Sequence, residues 1–436
     1  LCIYCLIKPS KFLIVYLVLI FFPITTIEDL FSINFNQIKV LPYLVLLCSC
    51  LGAFIIDNFK VRNIFYDIPK LTKFILFLYT LTLFYSGYIN NRTLIDTVFS
   101  LRWIIGLLSI SYLMLRYYTK NDLTNFIKIF IIIGFVQIPV TIFQRFYLVP
   151  LLDDIGDVVT GTFPQYYQLI FFQLFLIGII LLSNKHKIRY YSINTYLLII
   201  LLIVPLVFSN AKAVFIFLPI VILYSITSKP IKIRSITSIA LLITPIFFIS
   251  LYTFNIITQY TYNLDESLSY AYLINYDYIW NYVTRGVNSQ NFLESIDIIN
   301  SDFGRLGNII FNFNAISHSI GTLLFGLGGI KFLESSKTGL VLDFDIPYVL
   351  HSTIARTIGI AGIIGTLLII LFYFSLRNKS KDSLTREDII QTNISKILFI
   401  LLFMTSIYFN NLQSFYTYLF ISLCFLKIDN KSIDIV

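Results

Sequence analysis

The segment PYVLHSTIARTIGIAGIIGTLLIILFYF, from Pro347 to Phe374, decides the fold class of this chain. A helix needs about 20 apolar residues to cross a bilayer, and this segment supplies them. His351 and Arg356 nevertheless stand at its beginning. A basic side chain inside a membrane costs about 3 kcal/mol, so it faces a polar cavity or a partner, or extends to the nearer interface. The segment therefore predicts a transmembrane helix with a polar mouth.

The remaining sequence repeats this pattern. Of the 436 residues, 57% are hydrophobic and only 13% are charged, whereas soluble domains carry about 25% charged residues. We therefore predict an all-α polytopic membrane protein with about twelve transmembrane helices. These helices are predicted near residues 11–27, 39–56, 70–88, 95–116, 123–144, 164–183, 193–209, 213–228, 236–258, 351–375, 394–409 and 412–426. The first of them is interpreted as a retained helix rather than a signal peptide.

The net charge of +9 does not indicate nucleic-acid binding. Most of the 32 basic residues lie in short connections that fall on one side of the membrane if the N-terminus is cytoplasmic. This distribution predicts that both termini are cytoplasmic. A metal site is not expected either, because the pair Cys2 and Cys5 has no second pair of ligands beside it.

The chain divides into three predicted parts: helices 1–9 in residues 1–258, a long periplasmic loop in 259–350, and helices 10–12 with a cytoplasmic tail in 351–436. Within the loop, SDFGRLGNIIFNFNAISHSIGTLLFGLGG carries apolar residues at helical spacing. They are Ile309, Ile310, Phe313, Ile316 and Ile320. We predict an amphipathic helix on the membrane surface, ended by the glycines of FGLGG.

The candidate site residues are basic groups on the predicted outer side. Arg102 lies inside the fourth span, and Arg356 lies one turn inside the tenth. Lys212 begins a helix after a very short outer turn, where it either holds a phosphate or anchors the helix end at the interface. Arg305 lies in the loop, where it either clamps an anion or forms a local ion pair with Asp302.

His351 completes the set at the outer mouth of the tenth span. Its ordinary pKa lies near working pH, so an imidazole there suits a general base that activates an acceptor hydroxyl. If Lys212, Arg305, His351 and Arg356 converge, they form one cationic cavity. Such a cavity fits a lipid-linked diphosphate whose tail remains in the bilayer.

Four segments of the chain resemble a known family, the O-antigen polymerase and O-antigen ligase superfamily of bacterial membrane glycosyltransferases. TGTFPQYYQL is similar to the family's Gly-x-Phe segment, and FSNAKAVFIFL resembles its Ser-x-Ser-Arg-Gly turn. FGRLGNIIFNFNAISHSIGTLLFGLGG resembles its Gly-Arg helix with a glycine-rich end. LHSTIARTIGIAGIIGTLL resembles its span that begins with His-Asn. The resemblance covers the C-terminal two thirds of the chain.

The resemblance implies metal-independent glycan transfer from undecaprenyl diphosphate, without a cofactor, on the outer face of the bacterial inner membrane. It implies that Lys212 and Arg305 grip the diphosphate and that His351 activates the acceptor. Lys212 replaces the family's Arg, which removes a bidentate contact. Ala213 and Ser352 are further departures, standing where Gly and Asn are common.

The expected function is polymerisation of lipid-linked oligosaccharides for O-antigen or a similar surface polysaccharide. His351 and Arg305 are the expected catalytic residues, and Lys212, Arg305, Arg356 and Arg102 the expected diphosphate-binding residues. The expected partners are a lipid-linked donor and acceptor, membrane lipids and a chain-length regulator, but no nucleic acid. Two alternatives remain open at this point: a ligase that transfers glycan to lipid A core, and a flippase for the same lipids.

Overall fold

The structure is a computed structural model of the chain. It describes residues 1–31, 41–57, 68–149, 159–209, 212–226, 309, 312–313, 316–317, 319–329, 340–341, 348–349, 352–377, 385–410, 412 and 414–427. The predicted span at 236–258 and most of the predicted loop at 259–350 lie outside these residues. The orientation of the chain in the membrane stays a prediction.

The described residues are almost entirely helical. The helices are α1 Cys2–Ile7, α2 Phe12–Ile20, α3 Ile24–Phe31, α4 Leu41–Ile56, α5 Lys70–Ile89, α6 Leu94–Ser100, α7 Arg102–Tyr117, α8 Leu123–Phe143, α9 Tyr166–Lys185, α10 Thr195–Phe208, α11 Lys212–Ile226, α12 Ile320–Phe325, α13 Thr353–Ser375, α14 Arg386–Tyr408 and α15 Phe415–Leu423. Strand structure in the described part is limited to β1 Leu340–Val341 and β2 Tyr348–Val349, which pair antiparallel.

Five helical stretches of the described chain are long and apolar enough to cross a membrane: Pro9–Phe31, Lys120–Leu148, Tyr166–Lys185, Thr353–Ser375 and Arg386–Ile407. The pair α6 and α7 is a sixth if the two helices count as one bent span. The all-helical class and the apolar helices typical of a membrane protein are thus present. The full count of about twelve spans stays a prediction.

Large apolar side chains on the outside of the helices fit a lipid environment. On α5, Phe74, Phe77 and Leu81 are exposed, and on α8 Ile132 and Val136 are exposed. Contiguous apolar surface of this kind is rare on soluble monomers, because water solvates it poorly.

Helix α9 lies at the centre of the packing. Its side chains are buried along nearly its whole length, and the Phe175 ring stacks on Phe420 of α15 with centroids 3.9 Å apart. Gly178 lets α14 approach closely, because a Cβ at this position would lie 2.5 Å from the Ile397 side chain. The predicted span 164–183 therefore packs inside the protein along most of its length.

Two breaks interrupt apolar stretches that the sequence predicts as continuous helices. The predicted span 95–116 is bent by 54° between α6 and α7. Helix α13 contains Gly362 in a non-helical conformation, with φ 63° and ψ −160°. The break in α13 lies beside the short segment 325–329, which starts at the last residue of α12. Gly329 of this segment also approaches α6, since a Cβ there would lie 2.6 Å from the Asp96 carbonyl oxygen.

The segment 325–329 is held against the break in α13 by backbone hydrogen bonds. The Leu327 and Gly328 amides donate to the Gly359 and Ile360 carbonyls at 2.8 and 3.2 Å. A Cβ at Gly326 would lie 2.5 Å from the Ala361 nitrogen. Non-helical backbone at membrane depth needs protein partners of this kind, because lipid supplies none.

Helix α5 donates hydrogen bonds to this glycine junction, which is the name we use for residues 325–329 together with the break at Gly362. The Ser86 hydroxyl lies 3.2 Å from the Gly326 carbonyl, and the Asn90 side-chain amide donates to the same carbonyl at 3.1 Å. The expected glycine end of the loop helix is thus present, since Gly326 follows α12 with φ 76°.

The apolar face predicted for the loop helix differs from the one observed. Ile316 is fully buried, whereas Ile320 is 78% exposed and Phe313 is 44% exposed. The prediction assumed one continuous helix, but Ser319 caps a new helix through its hydroxyl and so resets the helical periodicity.

Candidate functional site

Arg102 lies at the bend between α6 and α7. It is the first residue of α7, and its guanidinium carbon lies 4.5 Å from the centre of the Phe99 ring on α6. The bend therefore places the N-terminus of a helix beside a cation. A cation and the positive end of a helix dipole repel each other, and a bound anion relieves that repulsion.

Arg356 lies on the first turn of α13. The Ser352 hydroxyl caps this helix by accepting from the Ala355 amide at 3.1 Å. The Thr353 amide and hydroxyl both donate to the Phe409 carbonyl at 3.1 Å, which fixes the helix start against the end of α14. The sequence therefore directs a second helix N-terminus, again with an arginine, into the protein.

The Arg356 side chain is only 5% exposed. The sequence left open whether this residue extends toward the membrane surface, and the burial argues against that alternative. A buried guanidinium is costly, so its surroundings have to favour the charge.

Two tyrosines interact electrostatically with both arginines. The hydroxyls of Tyr43 on α4 and Tyr418 on α15 are each within electrostatic reach of both Arg102 and Arg356. Within the described residues, the Tyr418 hydroxyl makes no hydrogen bond. We call Tyr43, Arg102, Arg356 and Tyr418 the arginine cluster.

The surrounding packing fixes the tyrosine rings. A Cβ at Gly106 would lie 2.7 Å from Cε2 of Tyr418, so this glycine of α7 makes room for the ring. The Phe415 ring packs on Tyr43 with centroids 4.3 Å apart. Both rings therefore pack against a neighbouring helix.

A third tyrosine borders the cluster on the side of α5. The Tyr79 hydroxyl lies near Arg356, Thr357 and the Trp103 side chain. The Tyr79 ring packs edge-on against Trp103 at 5.5 Å. Because Trp103 is next to Arg102 in sequence, this contact ties the start of α7 to α5.

The cluster can bind an anion with several oxygens. Guanidinium groups present paired N–H donors that match carboxylate or phosphate oxygens, and tyrosine hydroxyls add single donors. A diphosphate offers enough acceptors for both arginines at once. Among the described residues, no group of three or more His, Cys, Asp or Glu is positioned to hold a metal ion.

The other predicted site residues are described incompletely. Lys212 begins α11, as the sequence suggests, but its side chain lies outside the described part. Arg305 and His351 are also outside it. Of the predicted set, Arg102 and Arg356 both act electrostatically on Tyr43 and Tyr418. The convergence of these arginines with Lys212, Arg305 and His351 stays a prediction.

Sequence reasoning missed the tyrosines. Tyr43 and Tyr418 stand in apolar segments among many aromatic residues, and 30 tyrosines occur in the chain. Tyr residues are common at membrane interfaces, so their presence alone carries little information. The one local signal is Gly106, which allows a close helix contact on the face of α7 that follows Arg102.

The chain matches no protein-family model, and comparisons with curated protein sequences and with solved structures give no match either. The resemblance to the O-antigen polymerase and ligase superfamily therefore stays a prediction based on the four sequence segments.

Proposed function

We propose that this protein is a membrane glycosyltransferase that polymerises lipid-linked oligosaccharides of a surface polysaccharide. The observation that carries the proposal is the arginine cluster, where Arg102 and Arg356 lie on the first turns of two different helices and both act electrostatically on Tyr43 and Tyr418. Such a cluster suits a diphosphate at the membrane boundary. The proposed substrate is a glycan attached to undecaprenyl diphosphate.

The arginine cluster would bind the diphosphate and stabilise it as it leaves. Two helix N-termini and two guanidinium groups create a positive potential inside an apolar surrounding, where charge interactions are strong. Negative charge grows on the diphosphate as its bond to the sugar breaks. Groups that are already in position for this charge lower the barrier without reorganising.

The reaction is a glycosyl transfer. The oxygen of an acceptor hydroxyl attacks the anomeric carbon of the donor, and the bond from that carbon to the diphosphate oxygen breaks. The electron pair of this bond stays on the diphosphate, and the hydroxyl proton passes to a base. His351 is the predicted base, while Arg305 and Lys212 are predicted to add further diphosphate contacts.

The sequence supports placing the reaction on the outer face of a bacterial inner membrane. The positive-inside distribution predicts cytoplasmic termini, which puts His351 and the start of α13 on the opposite side. The leaving diphosphate supplies the driving force, so the proposal needs no nucleotide. Donor and acceptor are both lipid-linked units, and a chain-length regulator is a proposed partner.

The test replaces each arginine by glutamine and follows chain extension. Purified protein is incubated with lipid-linked repeat units, and the products are separated by length. We expect Arg102→Gln and Arg356→Gln each to lower kcat/KM about 100-fold, as loss of one stabilising donor does in other acyl or phosphoryl sites. Arg102→Lys and Arg356→Lys keep the charge but lose paired N–H donors, so they should recover only part of the rate.

The matched control is Arg189→Gln, because Arg189 is exposed in the connection between α9 and α10. It removes the same charge from the surface and should leave extension unchanged. Equal melting temperatures of the three glutamine variants separate loss of chemistry from loss of fold. Normal extension by Arg102→Gln and Arg356→Gln would contradict the proposal.

The same assay separates the two alternatives. Transfer of glycan to added lipid A core, with no lengthening of lipid-linked chains, would identify a ligase. Movement of the lipid across vesicles without any glycan joining would identify a flippase. Either result would replace the polymerase assignment.

A further inference from the structure

Helices α13 and α14 pack antiparallel along a common seam. At the start of α13, the Thr353 hydroxyl donates to the Phe409 carbonyl, which directly follows α14. Toward the end of α13, the Phe374 ring packs on Phe399 with centroids 5.1 Å apart. Helix α13 is long enough to cross a membrane, so the end of the seam near Phe374 lies far from the arginine cluster at its start.

Two cations stand at this far end of the seam. Arg377 comes three residues after Phe374, and its amide donates to the Phe374 carbonyl at 3.1 Å. Lys396 comes three residues before Phe399 on α14. Because the helices are antiparallel, one turn beyond the ring pair leads to the same end of the seam on both. Arg377 accordingly acts electrostatically on Lys396.

Lys396 is placed differently from a lysine in a loop. It is the last charged residue of α14 and stands directly before the apolar run 397–404. Its neighbours Ser395 and Ile397 are fully buried, and Lys396 itself is partly buried. Helix α9 approaches closely beside it, because a Cβ at Gly178 would lie 2.5 Å from the Ile397 side chain. Packed helices therefore enclose part of the Lys396 side chain.

The charged groups that act on Lys396 are cations. Within the described part of the chain they are Lys185, the last residue of α9, and Arg377. Lys396 and Lys185 also act on His186, which follows α9. Like charges that are close together repel each other, and the repulsion is stronger where burial reduces the screening by water. A bound anion relieves this repulsion.

Exposed apolar side chains continue from the two cations along both helices. Those of α13 are spaced three to four residues apart on the helix face that leads to Arg377, and those of α14 have the same spacing on the face that leads to Lys396. They are Leu367, Leu371 and Phe374 on α13, and Phe403 and Ile407 on α14. The two faces meet at the contact between Phe374 and Phe399. We call these two faces the apolar stripes.

We propose that an anionic phospholipid binds at this end of the seam, with its phosphate at Lys396, Arg377 and Lys185 and its acyl chains along the apolar stripes. The inference is independent of the proposed function. The cations favour an anion, and the stripes that continue from them favour acyl chains, which a soluble phosphate lacks. Basic groups between transmembrane helices are typical of sites for anionic lipid headgroups. The positive-inside distribution predicts that this lipid belongs to the cytoplasmic leaflet.

The experiment compares two phospholipids with identical acyl chains, anionic phosphatidylglycerol and zwitterionic phosphatidylcholine. Binding of single lipid molecules to the full-length protein in a neutral detergent is measured by native mass spectrometry. One basic residue near an anionic lipid contributes about fivefold in affinity. We therefore expect a preference of about 25-fold for phosphatidylglycerol from two cations. Lys396→Met and Arg377→Gln should each reduce it about fivefold and leave the affinity for phosphatidylcholine unchanged.

Lys8→Met is the matched control. Lys8 is exposed between α1 and α2, on the same predicted side of the membrane, so the change removes one basic residue away from the seam. It should keep the full preference for phosphatidylglycerol. Arg377 is exposed, so Arg377→Gln tests the site even if Lys396→Met does not fold. Equal affinities of the unaltered protein for the two lipids, or an undiminished preference in Arg377→Gln, would overturn the lipid site.

His186 supplies a second measurement at the same place. A nearby anion favours the charged imidazolium, so phosphatidylglycerol should raise the pKa of His186 and phosphatidylcholine should not. The pKa is followed by NMR, and the resonance is assigned by its loss in His186→Gln. Glycerol phosphate, a soluble headgroup analogue, should leave this pKa unchanged at the concentration of the lipid. If it raises the pKa as much as phosphatidylglycerol does, the site binds soluble phosphate and the lipid assignment is wrong. An unchanged pKa with phosphatidylglycerol would also refute the site.

Discussion

Replacing Gly362 by alanine tests the architecture that holds Arg356 in place. Gly362 has φ 63° and ψ −160°, a region of backbone conformation that is essentially restricted to glycine. A Cβ there would lie 2.5 Å from the carbonyl carbon and oxygen of Leu324 and 2.6 Å from the Gly326 nitrogen. Real Cβ contacts with backbone are about 1 Å longer, so the segment after α12 has to move away.

The free energy of this change follows from two contributions. Backbone strain of an alanine in this region is about 1–3 kcal/mol. Moving residues 325–329 away from α13 also breaks the hydrogen bonds to Gly359 and Ile360, at about 1 kcal/mol each. We expect Gly362→Ala to destabilise the protein by about 3–5 kcal/mol. At about 2 °C per kcal/mol for a long chain, the apparent melting temperature should fall by about 6–10 °C.

Gly321→Ala is the matched control, because Gly321 lies in α12, the helix that leads into the segment packed against Gly362. Gly321 is inside α12, and the nearest atom to a Cβ added at this position would be the Ser319 hydroxyl oxygen at 3.8 Å. Alanine favours a helix over glycine by about 1 kcal/mol, so this variant should melt at the same temperature or slightly higher. Both variants are measured by thermal denaturation in one detergent at one heating rate. A difference of 2 °C corresponds to roughly one kcal/mol. If the melting temperatures of Gly362→Ala and Gly321→Ala differ by less than this, Gly362 does not have the non-helical conformation described above.

Two further predictions concern other parts of the molecule. Gln144→Leu should destabilise the protein by about 2–4 kcal/mol, because the Gly161 amide and carbonyl lose their bonds to the Gln144 side chain at 2.7 and 2.8 Å; thermal denaturation beside the exposed control Gln165→Leu checks this, and equal melting contradicts it. Burial, and then the nearby Lys396 ammonium, hold the pKa of His186 below its usual value. The contribution of neutral His186 to stability is therefore present above about pH 6.5 and is lost as pH falls through the pKa of the folded protein. NMR titration should find that Lys396→Met raises the pKa of His186, and an unchanged pKa would exclude the charge effect.

Hydropathy in the sequence predicted several helices with good boundaries. A helix is observed over Lys70–Ile89 where a span was predicted at 70–88, and another over Thr195–Phe208 where one was predicted at 193–209. That these two helices cross the membrane stays a prediction. These boundaries coincide with residues that start helices, such as Pro69 before the first and the Asn194 cap before the second. Capping residues and hydropathy indicate the same helix boundaries there, so a short window of sequence is sufficient to predict them.

The C-terminal spans show where hydropathy misleads. The predicted span 394–409 is observed as a helix over Arg386–Tyr408. Its first turn is polar, and the capping box of Thr385 with Asp388 marks the true start. A motif-based reading finds this start, whereas a search for apolar residues passes over it.

The two breaks could not be predicted from local sequence. The bend at Leu101 contains neither glycine nor proline, so no residue in the local sequence indicates a bend there. In α13, the glycines Gly359, Gly362 and Gly365 stand at equal spacing, and only Gly362 is non-helical. The contact with residues 325–329 selects it, and this contact joins parts of the chain that are far apart in sequence.

The two arginines of the candidate site could be predicted from the sequence, but the geometry around them could not. A charge in an apolar segment indicates Arg102 and Arg356 directly, because charge is costly there. Their shared neighbours Tyr43 and Tyr418 depend on how α4, α7, α13 and α15 pack. Helix packing is a long-range property, and no spacing in the sequence encodes it.

The break in α13 gives a physical reason why Arg356 stays buried. An unbroken helix can slide or rotate to bring an arginine toward a membrane surface, at little cost to its own hydrogen bonds. The piece that carries Arg356 is instead fixed at its start by Thr353 bonded to the Phe409 carbonyl, and at its end by the Gly359 and Ile360 carbonyls. Hydrogen bonds at about 1 kcal/mol each are together comparable with the roughly 3 kcal/mol cost of the buried cation. The glycine junction thus holds the Arg356 guanidinium in place. If the arginine cluster binds a diphosphate, as we propose, weakening the junction should weaken that binding even though none of its residues belongs to the cluster.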